Sequence, residues 1–246
     1  MAATAATTTA APDEIARFHA IADAWWDASG KFRPLHQINT PRLEYLRDQL
    51  AAKFGRDPHA PQPFAGLTLL DVGCGGGLLS EPLARLGFTV TGIDAGEKNI
   101  AVAKLHAEKM GLSIDYRTAT PEQLDGQYDV VLAMEVIEHV ADVGAFLVAL
   151  ADRLKPGGTF FGATMNRTAA SFALAIVGAE YILRWLPRGT HSWKKFVKPS
   201  EFAAGLRRVG IKADGFIGVH YEPLQDRWRL GPGLQVNYLL HGHKAG

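Results

Sequence analysis

Short apolar runs alternate with longer amphipathic segments through the middle of the chain. The apolar runs predict buried strands, and the segments between them, with apolar residues three or four positions apart, predict helices. The predicted strands cover 68–72, 89–93, 113–117, 128–133 and 159–164, and the predicted helices lie at about 98–110 and 143–154, with another ending near Leu86. Strands that alternate with helices indicate parallel βαβ units and an α/β fold.

The two ends of the chain depart from this pattern. Apolar residues on one face predict a helix over 13–27, and a second helix is expected from about Pro41, where proline suits a first turn, to Phe54. Between them, 31–39 is expected to be irregular. At the other end, 212–220 and 235–241 predict two strands joined by a loop alone, which would form an antiparallel hairpin at one edge of the sheet.

These elements divide the chain into three parts. Residues 1–12, rich in Ala and Thr, are expected to be a disordered tail. Residues 13–66 are expected to be N-terminal helices and a linker that form a lid. Residues 67–246 form the main α/β domain, with a helical insertion at about 166–199.

The most informative motif is Asp-Val-Gly-Cys-Gly-Gly-Gly at 71–77, between a predicted strand and a predicted helix. Glycines in this context let the backbone approach a ligand at a helix N-terminus. Asp94 ends the next strand, about 20 residues after Gly73, where a carboxylate can accept hydrogen bonds from ribose hydroxyls. Together these features predict an adenosine-type cofactor, against the alternative of a tight structural turn that binds no ligand.

The spacing of the glycines separates two classes of such cofactors. The dinucleotide fingerprint has two residues between its last two glycines, whereas one residue separates Gly75 from Gly77. Asp71 stands directly before the loop, where its charge would repel a pyrophosphate but can help to hold the ammonium group of a methionine. We therefore expect S-adenosylmethionine rather than NAD.

This loop, Asp94 and the Leu-Lys-Pro-Gly-Gly at 154–158 together resemble class I methyltransferases. Longer stretches resemble one narrower family, the ubiquinone-biosynthesis O-methyltransferases: Trp25-Trp26-Asp27, 32–36, 39–42, 103–107, 134–140, 177–183, 194–199, 231–233 and 236–238. The resemblance covers about residues 13–241. It implies a doubly wound, Rossmann-like class I methyltransferase sheet, and O-methylation of ring hydroxyls of polyprenyl phenols or quinols with S-adenosylmethionine.

Carried onto the matching positions, the family's cofactor residues are Arg42, Gly73, Asp94 and Met134. Arg42 can hold the methionine carboxylate with two parallel donors. Met134, at the end of the fourth strand, can line the pocket, because open α/β sheets bind ligands at the carboxyl ends of their strands. The alternatives are a surface arginine and an ordinary core methionine.

Methylation of a phenol requires loss of its proton, because a phenol with a pKa near 10 is mostly protonated at neutral pH. Glu135, Glu138 and His139 follow the fourth strand and would share one side of a helix if the segment is helical. They can hold Mg²⁺ or another divalent ion, as some relatives in the family do. Without a metal, His139 is the simplest base, and His36 and His191 are weaker candidates. The structural alternative is that the two acids only cap or solvate a helix start.

Charge and composition limit the partners. The net charge of +1, from 26 basic and 25 acidic residues, gives no basic footprint for nucleic acid. One cysteine and the absence of a signal-peptide pattern indicate a cytoplasmic protein. Apolar residues and tryptophans beside lysines in 166–199 suit either peripheral membrane contact on the inner face or a lid over the site.

Two other functions stay open at this point. One is class I methylation of another small acceptor. The other is a non-catalytic, adenosine-ligand-binding scaffold within a biosynthetic protein complex, which would require that Glu135, Glu138 and His139 be dispensable.

Overall fold

The computed structural model describes residues 24–30, 32–172 and 193–246. In this part of the chain the strands are β1 (Thr68–Val72), β2 (Thr89–Asp94), β3 (Asp115–Thr118), β4 (Tyr128–Met134), β5 (Leu154–Met165), β6 (Ile211–Glu222), β7 (Arg227–Gly231) and β8 (Asn237–Lys244). The helices are α1 (Arg33–Phe54), α2 (Ser80–Arg85), α3 (Glu97–Lys109), α4 (Val143–Arg153), α5 (Ala169–Ser171) and α6 (Pro199–Arg208).

The described strands form one eight-stranded sheet in the order β3-β2-β1-β4-β5-β8-β6-β7. The first five strands run parallel, and β8 pairs antiparallel with both β5 and β6. Chain order reverses between β1 and β4, which places a crevice at the carboxyl ends of these two strands. The predicted doubly wound α/β sheet with antiparallel C-terminal strands is confirmed.

Both faces of the sheet are covered. On one face, α4 and α6 pack against the centre of the sheet through buried residues such as Phe146, Leu150 and Phe202. On the other face, Leu46 and Leu50 of α1 join a second core cluster with the strands, to which the 55–66 segment contributes Phe64. The N-terminal helix α1 is therefore part of the core.

The predicted start of α1 was wrong by about two turns. The helix begins at Arg33, not near Pro41, so most of the segment expected to be irregular is helical. Pro34 lies in the first turn, where its missing N–H has no helical partner to lose. Pro41 lies inside the helix and interrupts one backbone hydrogen bond, but burial of Ile38 on one side and Leu46 on the other holds both halves on the sheet.

The C-terminal prediction was incomplete. The two predicted strands exist as β6 and β8 and pair antiparallel, but β7 lies between them in sequence and pairs with the outer side of β6. Its five residues, Arg-Trp-Arg-Leu-Gly, alternate between polar and apolar, but the run is short and leads directly into Gly-Pro-Gly, so the segment between the two predicted strands was assigned to a loop. The predicted turn at 155–158 lies inside β5, where the pairing with β4 shifts register after Tyr128.

Two predicted segments fall largely outside the described residues. Of the predicted helix over 13–27, only 24–27 are described, and they form turns rather than the end of a long helix. Of the insertion at 166–199, the described parts are 166–172, which include α5, and 193–199, which begin with a 3₁₀ turn. In the described ranges, no helix is both long and apolar enough to cross a membrane.

We expect Leu50→Ala to lower the free energy of unfolding by about 2–5 kcal/mol, because Leu50 is fully buried between α1 and the sheet. Urea denaturation followed by circular dichroism measures this loss. Leu105→Ala on α3 is the matched control, since Leu105 is 69% exposed and its truncation should leave the midpoint nearly unchanged. Equal effects of the two changes would show that α1 is not part of the cooperative core.

Candidate active site

The glycine loop closes tightly over the ends of β1 and β2. Gly73 has φ +71°, and its N–H donates to the carbonyl of Ile93 at 2.8 Å. A Cβ added to Gly73 would lie 2.4 Å from Cγ2 of Val136, in the segment that follows β4. Only glycine fits at this position, because the loop packs directly against the segment that follows β4.

Asp94 ends β2 at the edge of this crevice. Its Oδ2 accepts a hydrogen bond from the Gly75 amide at 3.0 Å, and its Oδ1 accepts from the Gly96 amide at 2.7 Å and from Nδ2 of Asn99 at 3.0 Å. The carboxylate is half-buried and held in one orientation. A carboxylate fixed at this point can accept further hydrogen bonds from the two hydroxyls of a ribose.

Two consecutive tryptophans, Trp25 and Trp26, contact the glycine loop. A Cβ on either Gly75 or Gly76 would lie 2.5 Å from the Trp25 side chain, and Trp25 Nε1 donates to Oδ1 of Asn99 at 3.0 Å. Trp26 Nε1 donates to the carbonyl of Gly76 at 2.9 Å. In the sequence the Trp-Trp pair served only as a family marker. Its contact with the loop was missed, because no sequence spacing links residues so far apart.

Asp71 lies beneath the loop rather than in the open crevice. It is buried, and its Oδ2 accepts a hydrogen bond from the Ser80 hydroxyl at 2.6 Å. Burial and the neighbouring charge of Asp94 raise the pKa of Asp71 to about 7, although the bond from Ser80 acts in the opposite direction. The predicted contact with a methionine ammonium group stays a prediction.

Arg42 is not a surface arginine. It lies on α1, is 2% exposed, and forms an ion pair with Oε1 of Glu135 directly after β4. Nδ2 of Asn237 donates to the same oxygen at 3.4 Å. The Arg42 Nε is buried and has no hydrogen-bond partner, so one donor of the guanidinium stays available. The neighbouring Met134 is buried in the core between the sheet and α1.

The acidic segment after β4 is not an α-helix. Glu135 has φ +58°, a left-handed conformation that is rare outside glycine and clusters at functional sites. A 3₁₀ turn follows over Ile137–His139. Glu138 is buried under this turn, and its Oε2 accepts from the Thr164 hydroxyl at 2.9 Å while its Oε1 has no partner.

The environment of Glu138 favours its neutral form. Burial and the charge of Glu135 raise its pKa to about 7, and His139 opposes the shift. The charges of Glu135 and His139 therefore both act on the pKa of Glu138. However, the described residues contain no cluster of three or more His, Cys, Asp or Glu side chains arranged to hold a metal ion. The predicted three-ligand set therefore does not fit a metal as these side chains lie.

Of the other histidine candidates, His36 contacts the tryptophan pair. Nε2 of His36 lies 2.9 Å from the carbonyl oxygen of Trp25, and the ring packs edge-on against Trp26, which indicates a structural role. His191 lies outside the described residues. A groove of about 280 Å³, lined in part by Trp26, His36 and His106, opens on the outer side of the Trp26 ring. It contains neither the glycine loop nor Asp94 and is distinct from the crevice.

Comparison with known proteins agrees with this geometry. A family model described as a methyltransferase domain matches residues 39–213. The ubiquinone biosynthesis O-methyltransferase of Paramagnetospirillum magneticum is 63% identical over 239 residues, 96% of each chain. The enzyme of the same name from Caulobacter vibrioides is 57% identical over 233 residues, 93% of this chain and 92% of its own. The chain belongs to the ubiquinone biosynthesis O-methyltransferase family. The resemblance predicted from the sequence is thereby confirmed.

More distant solved structures share the fold. Magnesium protoporphyrin IX methyltransferase from Synechocystis PCC 6803, solved with bound SAH, superposes with a TM-score of 0.62 at 20% identity, covering 86% of this chain and 84% of its own. A possible histamine N-methyltransferase from Thermotoga maritima gives a TM-score of 0.58 at 18% identity, covering 94% of this chain and 99% of its own. At such identities these two structures establish the class I methyltransferase fold alone.

Gly75→Ala should weaken binding of S-adenosylhomocysteine by about tenfold or more, because the new methyl group displaces the Trp25 ring from the loop. Titration calorimetry measures the dissociation constant. The matched control is Gly126→Ala, which also places alanine at a positive φ, here +85°, but meets no atom within 4 Å. An equal loss in both variants would attribute the effect to backbone strain and not to the tryptophan contact.

Glu138→Gln should flatten the dependence of stability on pH. A carboxyl whose pKa is raised on folding stabilises fully below its unfolded value, near 4.5, and loses that contribution as pH rises through about 7. Between pH 5 and pH 8 we expect the wild type to lose on the order of 2 kcal/mol more unfolding free energy than the variant. Urea denaturation at the two values measures the difference. Glu108→Gln, at an exposed carboxylate on α3, should leave the wild-type slope unchanged.

Proposed function

We propose that this O-methyltransferase transfers the methyl group of S-adenosylmethionine to a ring hydroxyl of a polyprenyl phenol or quinol in ubiquinone biosynthesis. The observation that carries the proposal is the meeting of two chemistries at one crevice. A glycine cradle with Asp94 suits an adenosine, and the segment that carries Glu135, Glu138 and His139 packs against this cradle through Val136. The names of the near full-length relatives support the class of acceptor.

The cofactor residues of the proposal fit the crevice. Asp94, which is held by the Gly75 amide, would accept from the ribose hydroxyls, and the backbone at Gly73 and Gly75, which carries no side chain, would lie against the cofactor. Arg42 carries a buried, unpartnered donor that suits a carboxylate. Asp71 would act on the ammonium group from beneath the loop, and Met134 would form part of the wall.

When bound, S-adenosylmethionine supplies a methyl group on a positively charged sulfur. The protein's own residues must then hold the acceptor and take its proton. We assign proton removal to His139, at the mouth of the crevice, since a neutral imidazole can accept a phenolic proton at physiological pH. The carboxyl of Glu138, which burial keeps largely neutral below about pH 7, then adds no negative charge against the phenolate.

We assign the cover of the site to residues 24–30 and Phe32. The assignment is supported by Trp25, which lies on the glycine loop and stacks on Phe32 at 4.0 Å between ring centroids. Access for the polyprenyl chain is assigned to the insertion at 166–199. The described residues that flank it support peripheral membrane contact, because Phe172 is 47% and Trp193 37% exposed. A partner protein from the same biosynthetic pathway would be compatible with this arrangement.

The test is transfer of labelled methyl from S-adenosylmethionine to a short-chain demethylubiquinol kept reduced. His139→Ala should lower turnover by about 10²–10⁴-fold and leave the dissociation constant of S-adenosylhomocysteine nearly unchanged, as expected for loss of a base. His59→Ala, at an exposed loop position, is the control and should behave as wild type. A chelator arm and a Mg²⁺ arm measure whether turnover depends on a divalent ion.

Two results would contradict the proposal. Confirmed cofactor binding without methyl transfer to the quinol would point to another small acceptor. Full turnover in His139→Ala would remove His139 from the mechanism, and full turnover in Glu138→Gln as well would mean that the cluster after β4 is dispensable.

A further inference from the structure

We propose that Glu135 is a positioning residue. It forms the ion pair with Arg42 when no cofactor is bound, and so substitutes for the methionine carboxylate of the cofactor. Arg42 exchanges Glu135 for that carboxylate when the cofactor binds, and Glu135 is thereby released toward Glu138 and His139. The inference rests on the proposed function, because it takes Arg42 as the group that receives the methionine carboxylate.

The first observation is an internal carboxylate on a buried guanidinium. Arg42 and Glu135 form an ion pair in which the Arg42 side chain is 3% exposed and that of Glu135 is 21% exposed. A buried arginine without a counter-ion is strongly disfavoured. Some carboxylate must therefore stay with Arg42 when the cofactor is absent, and Glu135 is the group that does so.

The second observation is that this pairing leaves the guanidinium incompletely used. Arg42 contacts Glu135 through one terminal nitrogen, and its Nε is buried without a partner. A carboxylate that approaches from the crevice can bind two donors in parallel, which is the preferred geometry for arginine. The cofactor carboxylate would thus satisfy a donor that Glu135 leaves unpaired.

The third observation is the backbone at Glu135. Its φ of +58° is unfavourable for glutamate and is maintained while the side chain reaches Arg42. The Asn237 amide, at the start of β8, donates to the same Glu135 oxygen at 3.4 Å. Asn237 can keep contact with Glu135 as it leaves Arg42, so the released carboxylate has a defined partner.

The exchange couples the two halves of the reaction. In the absence of cofactor, Glu135 is paired with Arg42 and is withheld from the acceptor. With cofactor bound, the negative charge of Glu135 moves toward Glu138 and His139. Because coupling between two ligands is reciprocal, acceptor binding that favours the released Glu135 must also tighten cofactor binding.

The test compares two ligands that differ only in the carboxylate: S-adenosylhomocysteine and its decarboxylated analogue, S-adenosyl-3-thiopropylamine. Calorimetry gives the ratio of their dissociation constants without turnover. Glu135→Gln removes the competing charge, so binding of S-adenosylhomocysteine should tighten relative to the analogue by about fivefold or more. The matched control is Glu44→Gln, which removes an exposed carboxyl on the same helix as Arg42 and outside the acidic segment, and its ratio should equal that of wild type.

Arg42→Met separates failure of the exchange from failure of the site. If Arg42 receives the carboxylate, the preference for S-adenosylhomocysteine over the analogue should be lost in this variant. A retained preference would overturn both this inference and the cofactor site of the proposed function. The exchange alone would be overturned if the preference is lost in Arg42→Met but Glu135→Gln does not bind S-adenosylhomocysteine more tightly, relative to the analogue, than wild type does. Arg42 would then bind both carboxylates at once.

Discussion

The parallel pairing of β1 with β2 on one side and β4 on the other is the constraint on which the site depends. Because the three strands run in the same direction, the glycine loop, Asp94 and the segment from Glu135 to His139 all emerge at one edge. The amide of Glu135 donates to the carbonyl of Ala163 on β5 at 2.9 Å, which fixes where β4 ends. A shift of either register would separate the cofactor cradle from the acidic group.

Burial of charge is the second organising feature. Arg42, Asp71 and Glu138 are each at most 3% exposed, although isolated charges are costly in a protein interior. The three groups meet this cost in different ways. Arg42 pairs with Glu135, Asp71 accepts a short hydrogen bond from Ser80, and Glu138 accepts one from Thr164 while its pKa rises toward neutrality. Buried ionisable groups with shifted pKa values are concentrated at the functional sites of proteins.

The sequence was sufficient for the features that depend on local pattern. The strands from Thr68 to Met134, the glycine loop and the position of Asp94 follow from short apolar runs, special backbone angles and spacing. The failures arose where tertiary contact outweighs local preference. Pro41 is tolerated inside α1 because the apolar residues around it are buried against the sheet. The contact of Trp25 with Gly75 and the pairing of Arg42 with Glu135 join distant parts of the chain and have no local signature.

The raised pKa of Glu138 bears directly on the proposed chemistry. A phenolate forming next to an ionised, buried carboxylate would be repelled by it in a medium where charges are poorly screened. With a pKa of about 7, Glu138 is largely neutral below that pH and does not oppose the phenolate. Once His139 has taken the proton, its positive charge faces the phenolate, and the neutral Glu138 adds no negative charge beside it. Burial of Glu138 therefore lowers the free energy of unfolding above neutral pH. The same burial keeps the carboxyl neutral at lower pH, so that a phenolate can form beside it.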